Sequence, residues 1–261
     1  MKNSSNENNF VIESYNRSNE LKVKQLIDLY NEESYLFHLL RNNKTKCAYV
    51  AYCKKDVVGI FFTWGSNFHP FCTYFRIYTN PFYSELHIEQ YLLSEIQKRE
   101  NFKLPLQISI WETSAHLKNY YEQNNFMEIR RTYMPILDVQ KIIPIVTTLH
   151  SNYAVQSLSN ILSNNSFFEK LTHLVKTNYE DTHLANPVTS FPLETWKEKI
   201  LADDTLLDGS FVLIDEDNEI IAYSFIQGEF DSTSIYAMEL LKAFPFNPCA
   251  TWITYQKEVG K

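Results

Sequence analysis

The chain has 261 residues, of which 44% are hydrophobic and 15% aromatic, and its formal net charge at pH 7 is −7. This length fits one large domain or two small ones, with enough apolar residues for buried cores. The negative charge and the lack of a basic stripe argue against a nucleic-acid partner. The sequence also has no run of eighteen apolar residues that would predict a membrane-spanning helix.

The amino terminus and the cysteines indicate a reducing, cytoplasmic environment. The first residues, MKNSSNENNF, lack the apolar core of a signal peptide. The four cysteines show no CxxC spacing, so we expect small, buried, free thiols. His69 and Cys72 have a spacing that a metal could use, but no second pair lies nearby, so no metal site is expected.

The first half of the chain alternates between strand-like and helical patterns. Its predicted elements are a strand at 10–15, two short helices within 20–42, a hairpin at 46–65, a strand at 73–82, a helix at 84–100, a strand at 106–111, a helix at 114–125 and a strand at 126–137. An antiparallel hairpin followed by a βαβ crossover predicts an α+β fold with a mixed sheet.

The second half of the chain partly repeats the first. Its predicted elements are helical stretches at 152–180 and 194–204 and a hairpin at 210–226. Residues 231–246 then follow the pattern of residues 111–126, with Phe246 in the place of Phe126. This pattern indicates a degenerate tandem repeat.

The two copies differ by one large gap. Residues 66–106, which carry a strand and a long helix, have no counterpart in the second copy. The sequence therefore predicts two domains, 8–138 and 139–261, of which the second lacks the central strand and its crossover helix. A sheet left with an open edge could pair with another copy, so a homo-oligomer is one expectation.

Two stretches carry a resemblance to a known family. HLKNYYEQNNFMEIRRTYMPIL (116–137) is similar to the carboxyl-terminal signature of the GNAT-type N-acyltransferases, in which a helix with an aromatic pair leads through a polar turn and Phe into a strand. That pattern, roughly N-x-x-A-x-x-x-Y-x-x-x-G-F, falls on Ser114, Leu117, Tyr121, Asn125 and Phe126. IYTNPFYSELHIEQYLL (77–93) resembles the family's acyl-CoA motif, with Pro81, Tyr83, Ile88, Leu92 and Leu93 in register.

The resemblance implies a GNAT-like acyltransferase fold in the first unit, acetyl-CoA as co-substrate, and a small-molecule or peptide amine as acceptor. A helix N-terminus suits a diphosphate, an extended pantetheine arm can pair with a strand, and a tyrosine hydroxyl can protonate the departing thiolate. Carried over residue by residue, it places pantetheine against Ile77, Tyr78 and Thr79, the diphosphate against the amides of Ser84, Glu85, Leu86, His87, Ile88 and Glu89, a further cofactor contact at Ser114, and the acid role on Tyr121.

The proposed diphosphate loop departs from the family's pattern. The sequence SELHIE stands where the family has Arg-Gly-x-Gly-x-Gly, and Glu85 and Glu89 bring negative charge beside the diphosphate. Two functions therefore stay open: an N-acyltransferase, or a catalytically inactive GNAT-like binding or scaffold protein with decayed acyl-CoA sites. In the second unit Leu241 occupies the tyrosine position, which argues against acyl-CoA chemistry there.

Several individual roles also stay open. Tyr121 either acts as the acid or packs between helix and sheet. The general base is either a glutamate such as Glu112 or an ordered water. Arg130 and Arg131 either meet a phosphate or are solvated strand charges, and His183 fits a helix end better than a catalytic role.

Overall fold

The computed structural model describes residues 10–30, 34–133, 153–228 and 251–259. The chain divides into two compact units. The first consists of Met1–Tyr133 and Ala250–Lys261, and the second of Met134–Cys249.

The described residues form strands, α-helices and two short 3-10 helices. The strands are β1 (Phe10–Ser14), β2 (Cys47–Cys53), β3 (Asp56–Trp64), β4 (Thr73–Thr79), β5 (Leu106–Trp111), β6 (Met127–Tyr133), β7 (Ala154–Ser157), β8 (Phe211–Ile214), β9 (Ile220–Ser224) and β10 (Thr251–Lys257). The α-helices are α1 (Glu20–Asp28), α2 (Ser34–Arg41), α3 (Ile88–Arg99), α4 (Ala115–Gln123), α5 (Leu158–Leu162), α6 (Asn165–Thr182) and α7 (Leu193–Ile200). The 3-10 helices are Arg17–Asn19 and Pro81–Leu86.

The first unit is built on a seven-stranded sheet with the order β1-β2-β3-β4-β5-β10-β6. Its neighbouring strands run antiparallel except for β4 and β5, which are parallel. The sheet is therefore mixed, and the predicted α+β class is confirmed.

Strand β3 is buried along most of its length because helices cover both faces of the sheet. Val58 and Phe61 belong to an apolar cluster that includes residues of α3 and α4. Ile60 and Phe62 belong to a second cluster that includes residues of α1 and α2. This double coverage explains why the β3 sequence is almost continuously apolar rather than alternating.

Helix α3 approaches the sheet very closely at Gly59 of β3. A Cβ atom at this position would lie 2.8 Å from Leu92 Cδ1 and 2.9 Å from Ile88 Cγ2, both on α3. Real Cβ contacts are longer than this, so any larger residue at position 59 would force Ile88, Leu92 or the helix itself to shift. The contact fixes the height of the first turns of α3 above β3.

Strand β10 lies between β5 and β6 and pairs antiparallel with both. Its side chains alternate across the sheet, and Ile253 and Tyr255 are fully buried in the cluster beneath α3 and α4. This differs from the sequence-based boundary, which assigned all of 139–261 to the second domain. A strand pairs wherever its alternating apolar face fits an open ladder, and sequence distance does not determine that choice.

The second unit contains a three-stranded antiparallel sheet, in the order β7-β8-β9, and helices α5, α6 and α7 within its described part. The predicted hairpin at 210–226 forms β8 and β9, whereas residues 154–157, expected to be helical, form β7. Residues 231–246 lie outside the described residues, so the tandem repeat and the missing central strand stay predictions. None of the helices in the described part of the chain combines the length and hydropathy needed to cross a bilayer.

We expect deletion of residues 250–261 to open the sheet of the first unit and to leave the second unit folded. Without β10, the facing edges of β5 and β6 lose their backbone partners and the core loses Ile253 and Tyr255. Hydrogen–deuterium exchange should then show loss of protection in β5 and β6, while β8 keeps its protection. The sequence-based boundary requires the opposite pattern, so faster exchange in β8 alone would contradict the fold described here.

We expect Gly59→Ala to lower the free energy of unfolding by about 1–3 kcal/mol, because the new methyl group overlaps Ile88 and Leu92. Gly65→Ala is the matched control: its Cβ would meet only the flexible end of Lys46, at 3.1 and 3.3 Å. Both substitutions reduce the freedom of the unfolded chain to a similar extent. Equal urea midpoints for the two variants would show that α3 does not rest on Gly59.

Candidate active site

The parallel strands β4 and β5 share only two ladder pairs, Thr73 with Leu106 and Tyr74 with Gln107. Beyond these pairs, from Phe75 on β4 and Ile108 on β5, the two strands continue without a common ladder. We call this part of the two strands the β4–β5 opening. Backbone groups along it lack a strand partner on one side, so an extended amide ligand could pair with them.

One side chain bridges the β4–β5 opening on the sheet face opposite α3 and α4. Arg76 Nη1 donates a hydrogen bond to the carbonyl oxygen of Ser109 on β5. The same guanidinium lies over the ring of Trp252 on β10, 5.6 Å from the ring centroid. Arg76 thus links β4 to β5 and to the inserted strand.

The three residues expected to face pantetheine lie on β4 along the opening. Ile77 packs partly buried toward α3, and Tyr78 is buried among residues of α1 and α2. Thr79 is buried at the strand end, where its carbonyl accepts a hydrogen bond from the Tyr30 hydroxyl. Its own hydroxyl donates to Glu89 Oε1 at 2.6 Å. The contact available to a ligand is therefore the backbone of β4 more than these side chains.

The residues after β4, Pro81–Leu86, form 3-10 turns on either side of a kink at Tyr83 instead of an open loop. Asn80 caps it: its side-chain Oδ1 accepts from the Phe82 amide at 3.0 Å, and its carbonyl accepts from the Tyr83 amide at 2.9 Å. Pro81 favours this turn because its fixed φ suits a first helical position. Ser84, Glu85 and Leu86 consequently lie in a helical turn.

His87 connects the 3-10 helix to α3 and has a left-handed backbone with φ of 49°. Its amide donates to the Ser84 carbonyl at 3.4 Å, and its side chain makes no capping hydrogen bond to α3. Ile88 is the first residue of α3 and is buried against Gly59. Glu89, one residue later, places its carboxylate against Thr79 at the end of β4.

Tyr121 of α4 is buried in the aromatic centre of the first unit, with 1% of its surface exposed. Its ring lies 6.0 Å from Phe75 of β4, 5.1 Å from Phe126 and 6.3 Å from Tyr255 of β10, measured between centroids. Burial is the main cause that raises the pKa of Tyr121 above the usual tyrosine value, and the neighbouring Tyr120 adds to it. The Tyr121 hydroxyl therefore keeps its proton at neutral pH.

Helix α4 also carries Tyr120 and begins after Ser114. Burial raises the pKa of Tyr120, and the Glu89 carboxylate contributes in the same direction. The Glu89 carboxylate also contributes to the raised pKa of Tyr121. Ser114 is the N-cap residue of α4, without a side-chain capping bond, and its carbonyl accepts from the Lys118 amide at 3.0 Å.

The structure bears on two roles that the sequence leaves open, Glu112 as general base and Arg131 as a phosphate ligand. Arg131 donates to both carboxylate oxygens of Glu128, at 2.9 and 2.8 Å, and to Glu112 Oε1. The hydrogen bond from Arg131 lowers the pKa of the Glu112 carboxyl. A carboxylate held in this way is a weak base, so Glu112 is poorly suited to deprotonate an amine. The Arg131 guanidinium is therefore already paired with two carboxylates of the same chain, Glu112 and Glu128.

Two other features come from the sequence: His183 as a catalytic residue and a possible metal site. His183 stacks on Tyr179 with a centroid distance of 3.9 Å, and its Nδ1 lies 2.8 Å from the Tyr179 carbonyl at the end of α6. Among the described residues, no group of three or more His, Cys, Asp or Glu side chains could hold a metal ion. A cavity of about 360 Å³ lies elsewhere, beside Tyr15, Lys46 and Glu100, and none of the predicted site residues lines it.

Tyr30, Arg76 and Trp252 contribute to this region although no sequence motif marks them. Arg76 gave one signal, because it is the only charged residue in the strand sequence TYFRIYT. Tyr30 and Trp252 gave none, since their contacts depend on chain segments that are far apart in sequence.

Comparison with known proteins extends the fold assignment. No family model and no curated protein matches the sequence. The crystal structure of a GCN5-related N-acetyltransferase from Sphaerobacter thermophilus matches with a TM-score of 0.59 and 12% sequence identity, covering 95% of this chain and 95% of that chain.

Shorter matches include a GNAT family acetyltransferase from Elizabethkingia anophelis with acetyl-CoA bound. Its TM-score is 0.41 at 15% identity, and the match covers 50% of this chain and 90% of that chain. A variant of the spermidine N-acetyltransferase SpeG from Vibrio cholerae also has a TM-score of 0.41, at 13% identity, covering 50% of this chain and 86% of that chain. The chain therefore has the fold of the GCN5-related N-acetyltransferases, supported by the first of these matches along nearly its whole length.

Proposed function

We propose that the chain is an N-acyltransferase that moves an acyl group, acetyl in the simplest case, from a CoA thioester to an amine of a small molecule or peptide. The observation that carries the proposal is the β4–β5 opening with Tyr121 packed beside it, against Phe75 of β4. The similarity to a structure named as an N-acetyltransferase supports the same chemistry. Fold alone does not decide function, so the proposal depends on this site.

The pantetheine arm of the donor would lie along Ile77, Tyr78 and Thr79 and hydrogen-bond to the backbone of β4. The amine nitrogen attacks the thioester carbonyl carbon, a C–N bond forms and the C–S bond breaks. The amine gives up a proton to water, because the Glu112 carboxylate is already held by Arg131.

Tyr121 would protonate the departing thiolate, and its surroundings suit this role. Burial raises the pKa of Tyr121, and the same exclusion of water would raise the pKa of the thiol that forms when the departing sulfur is protonated beside it. The proton therefore stays on the phenol until negative charge develops on sulfur. The reaction ends with an amide and a free thiol.

A second candidate function, an inactive GNAT-like binding protein, is favoured by the contacts at Thr79. The carbonyl accepts from Tyr30 and the hydroxyl donates to Glu89, so both polar groups that face the strand end are already engaged. A ligand that pairs with Thr79 must first displace Tyr30. An inactive protein would keep these contacts closed permanently, whereas an enzyme would open them when the donor binds.

We expect Tyr121→Phe to lower kcat for acyl transfer by about 100-fold, the lower range for loss of a general acid, with little change in KM for the thioester. Release of free thiol from acetyl-CoA, with a panel of amines, measures the rate. Tyr120→Phe is the matched control, since it removes a hydroxyl from the adjacent buried residue of α4.

Two results would count against the proposal in different ways. Unchanged turnover in Tyr121→Phe would remove Tyr121 from the acid role. If the wild-type protein releases no thiol from any thioester with any amine, the inactive binding protein becomes the better description.

We expect kcat/KM to rise with pH as the acceptor amine loses its proton, and not to fall again below about pH 10, the ordinary tyrosine value. The acid must be protonated to act, and a raised pKa keeps Tyr121 protonated to higher pH. The measurement is the pH profile of thiol release. A descending limb near pH 8 that disappears in Tyr121→Phe would show that the Tyr121 pKa is lowered instead.

A further inference from the structure

We infer that the acyl donor is recognised through its pantetheine arm and not through a diphosphate, so that acyl-pantetheine thioesters without phosphate groups serve at least as well as acyl-CoA. This inference rests on the proposed acyl transfer and names the donor class of the same site. Three features of the residues after β4 carry it: the use of their amides, their charge and their position on the sheet.

Some amides in and just before the proposed diphosphate loop are already used within the chain. The Phe82 amide donates to Asn80 Oδ1, and the amides of Tyr83 and His87 donate to carbonyls in the same segment. A diphosphate cradle needs several such donors pointing outward, as in glycine-rich loops. A diphosphate that used the Phe82, Tyr83 or His87 amide would have to break one of these hydrogen bonds.

The same segment carries only negative formal charge at neutral pH. Residues 80–91 contain Glu85 and Glu89 and no lysine or arginine. Neither glutamate forms an ion pair with any other residue that the structure describes. A diphosphate placed beside these two carboxylates would be repelled, and no fixed cation of the segment offsets the repulsion.

The segment leads into α3, whose first turns pack against the sheet. Ile88 and Leu92 rest on Gly59, and both are buried. The Tyr83 hydroxyl donates a 3.0 Å hydrogen bond to Asp56 Oδ2 at the start of β3. These contacts do not involve the backbone of β4 along the opening, where the arm would have to displace Tyr30 from the Thr79 carbonyl.

The reaction balances without the nucleotide. S-Acyl-pantetheine and an amine give an N-acyl amine and pantetheine: the C–N bond forms, the C–S bond breaks, the amine proton passes to water, and the sulfur takes the proton of Tyr121. Tyr121 regains a proton from solvent as the site opens.

The test compares three donors with the full-length protein: S-acetyl-pantetheine, S-acetyl-4′-phosphopantetheine and acetyl-CoA. We expect kcat/KM for S-acetyl-pantetheine to equal or exceed that for acetyl-CoA. A preference for acetyl-CoA greater than about tenfold, equivalent to about 1.4 kcal/mol, would overturn the inference while leaving the proposed function intact. If no donor releases thiol, the proposed function itself is contradicted, and this inference with it.

A substitution of Glu89 tests whether its negative charge disfavours the diphosphate of acetyl-CoA. Glu89→Gln removes the negative charge and keeps an oxygen that can accept from Thr79, so kcat/KM for acetyl-CoA relative to S-acetyl-pantetheine should rise several-fold, up to about tenfold. Glu95→Gln, on an outer face of α3 where Glu95 pairs with Lys98, should leave that ratio unchanged.

Salt gives an independent readout. KM for acetyl-CoA should fall as ionic strength rises, because salt screens repulsion, whereas an attractive diphosphate site would show the reverse. An equal ratio in the Glu89 and Glu95 variants, or a KM that rises with salt, would contradict the inferred role of Glu89.

Discussion

Insertion of β10 between β5 and β6 is the constraint on which the rest of the first unit depends. Without it, these two strands would each present an unpaired edge in the middle of the sheet. Tyr255 of β10 is buried beside Tyr121, and its hydroxyl donates to Glu122 of α4 at 2.9 Å. The last strand of the chain thus helps to place α4 and its candidate acid against β4. The sheet of the first unit therefore combines strands β1 to β6 with the strand β10, which is distant in sequence.

The candidate site has a strand arrangement that could accept an extended ligand, but several of its polar groups already bond to side chains of the protein. We call the strand arrangement and the buried tyrosine beside it the frame. The frame consists of two parallel strands that part after two ladder pairs and a buried tyrosine beside them. Three side chains of the protein now occupy groups that a donor would use: Tyr30 at the Thr79 carbonyl, Glu89 at the Thr79 hydroxyl and Arg76 at the Ser109 carbonyl. The proposed acyl transfer rests on this frame, and a donor that uses these groups would first have to displace the side chains now bonded to them. A pantetheine arm bound here would have to displace Tyr30 from the Thr79 carbonyl and Arg76 from the Ser109 carbonyl.

Local patterns predicted most of the first unit correctly. The hairpin at 46–65 forms β2 and β3 because its apolar residues suit buried strands and Lys54 takes the left-handed turn conformation, with φ of 58°. The helix predicted to begin at residue 84 begins instead at Ile88, since Asn80 and Pro81 start a separate 3-10 turn. The sequence fits both a helix that begins at residue 84 and a turn capped by Asn80, and the structure forms the turn.

Contacts between distant parts of the chain could not be predicted in the same way. Tyr30 bonds a carbonyl 49 residues away, and β10 pairs with a strand some 145 residues earlier, as the Ser109–Thr254 contact shows. Periodicity identifies an apolar face but does not specify its partner. Glu89 was predicted to lie where a diphosphate would bind, yet its bond to Thr79 depends on the height of α3 above the sheet. That height is set by Gly59, whose role follows only from the packing.

The most direct test of this account is a crystal structure of the protein with an unreactive ketone analogue of S-acetyl-pantetheine. The account predicts the arm between β4 and β5, hydrogen-bonded to the backbone at Ile77–Thr79, with the atom that replaces sulfur within about 3.5 Å of the Tyr121 hydroxyl. Tyr30 should then have left the Thr79 carbonyl. An analogue bound outside the β4–β5 opening, with the contacts of Tyr30 and Glu89 unchanged, would contradict it.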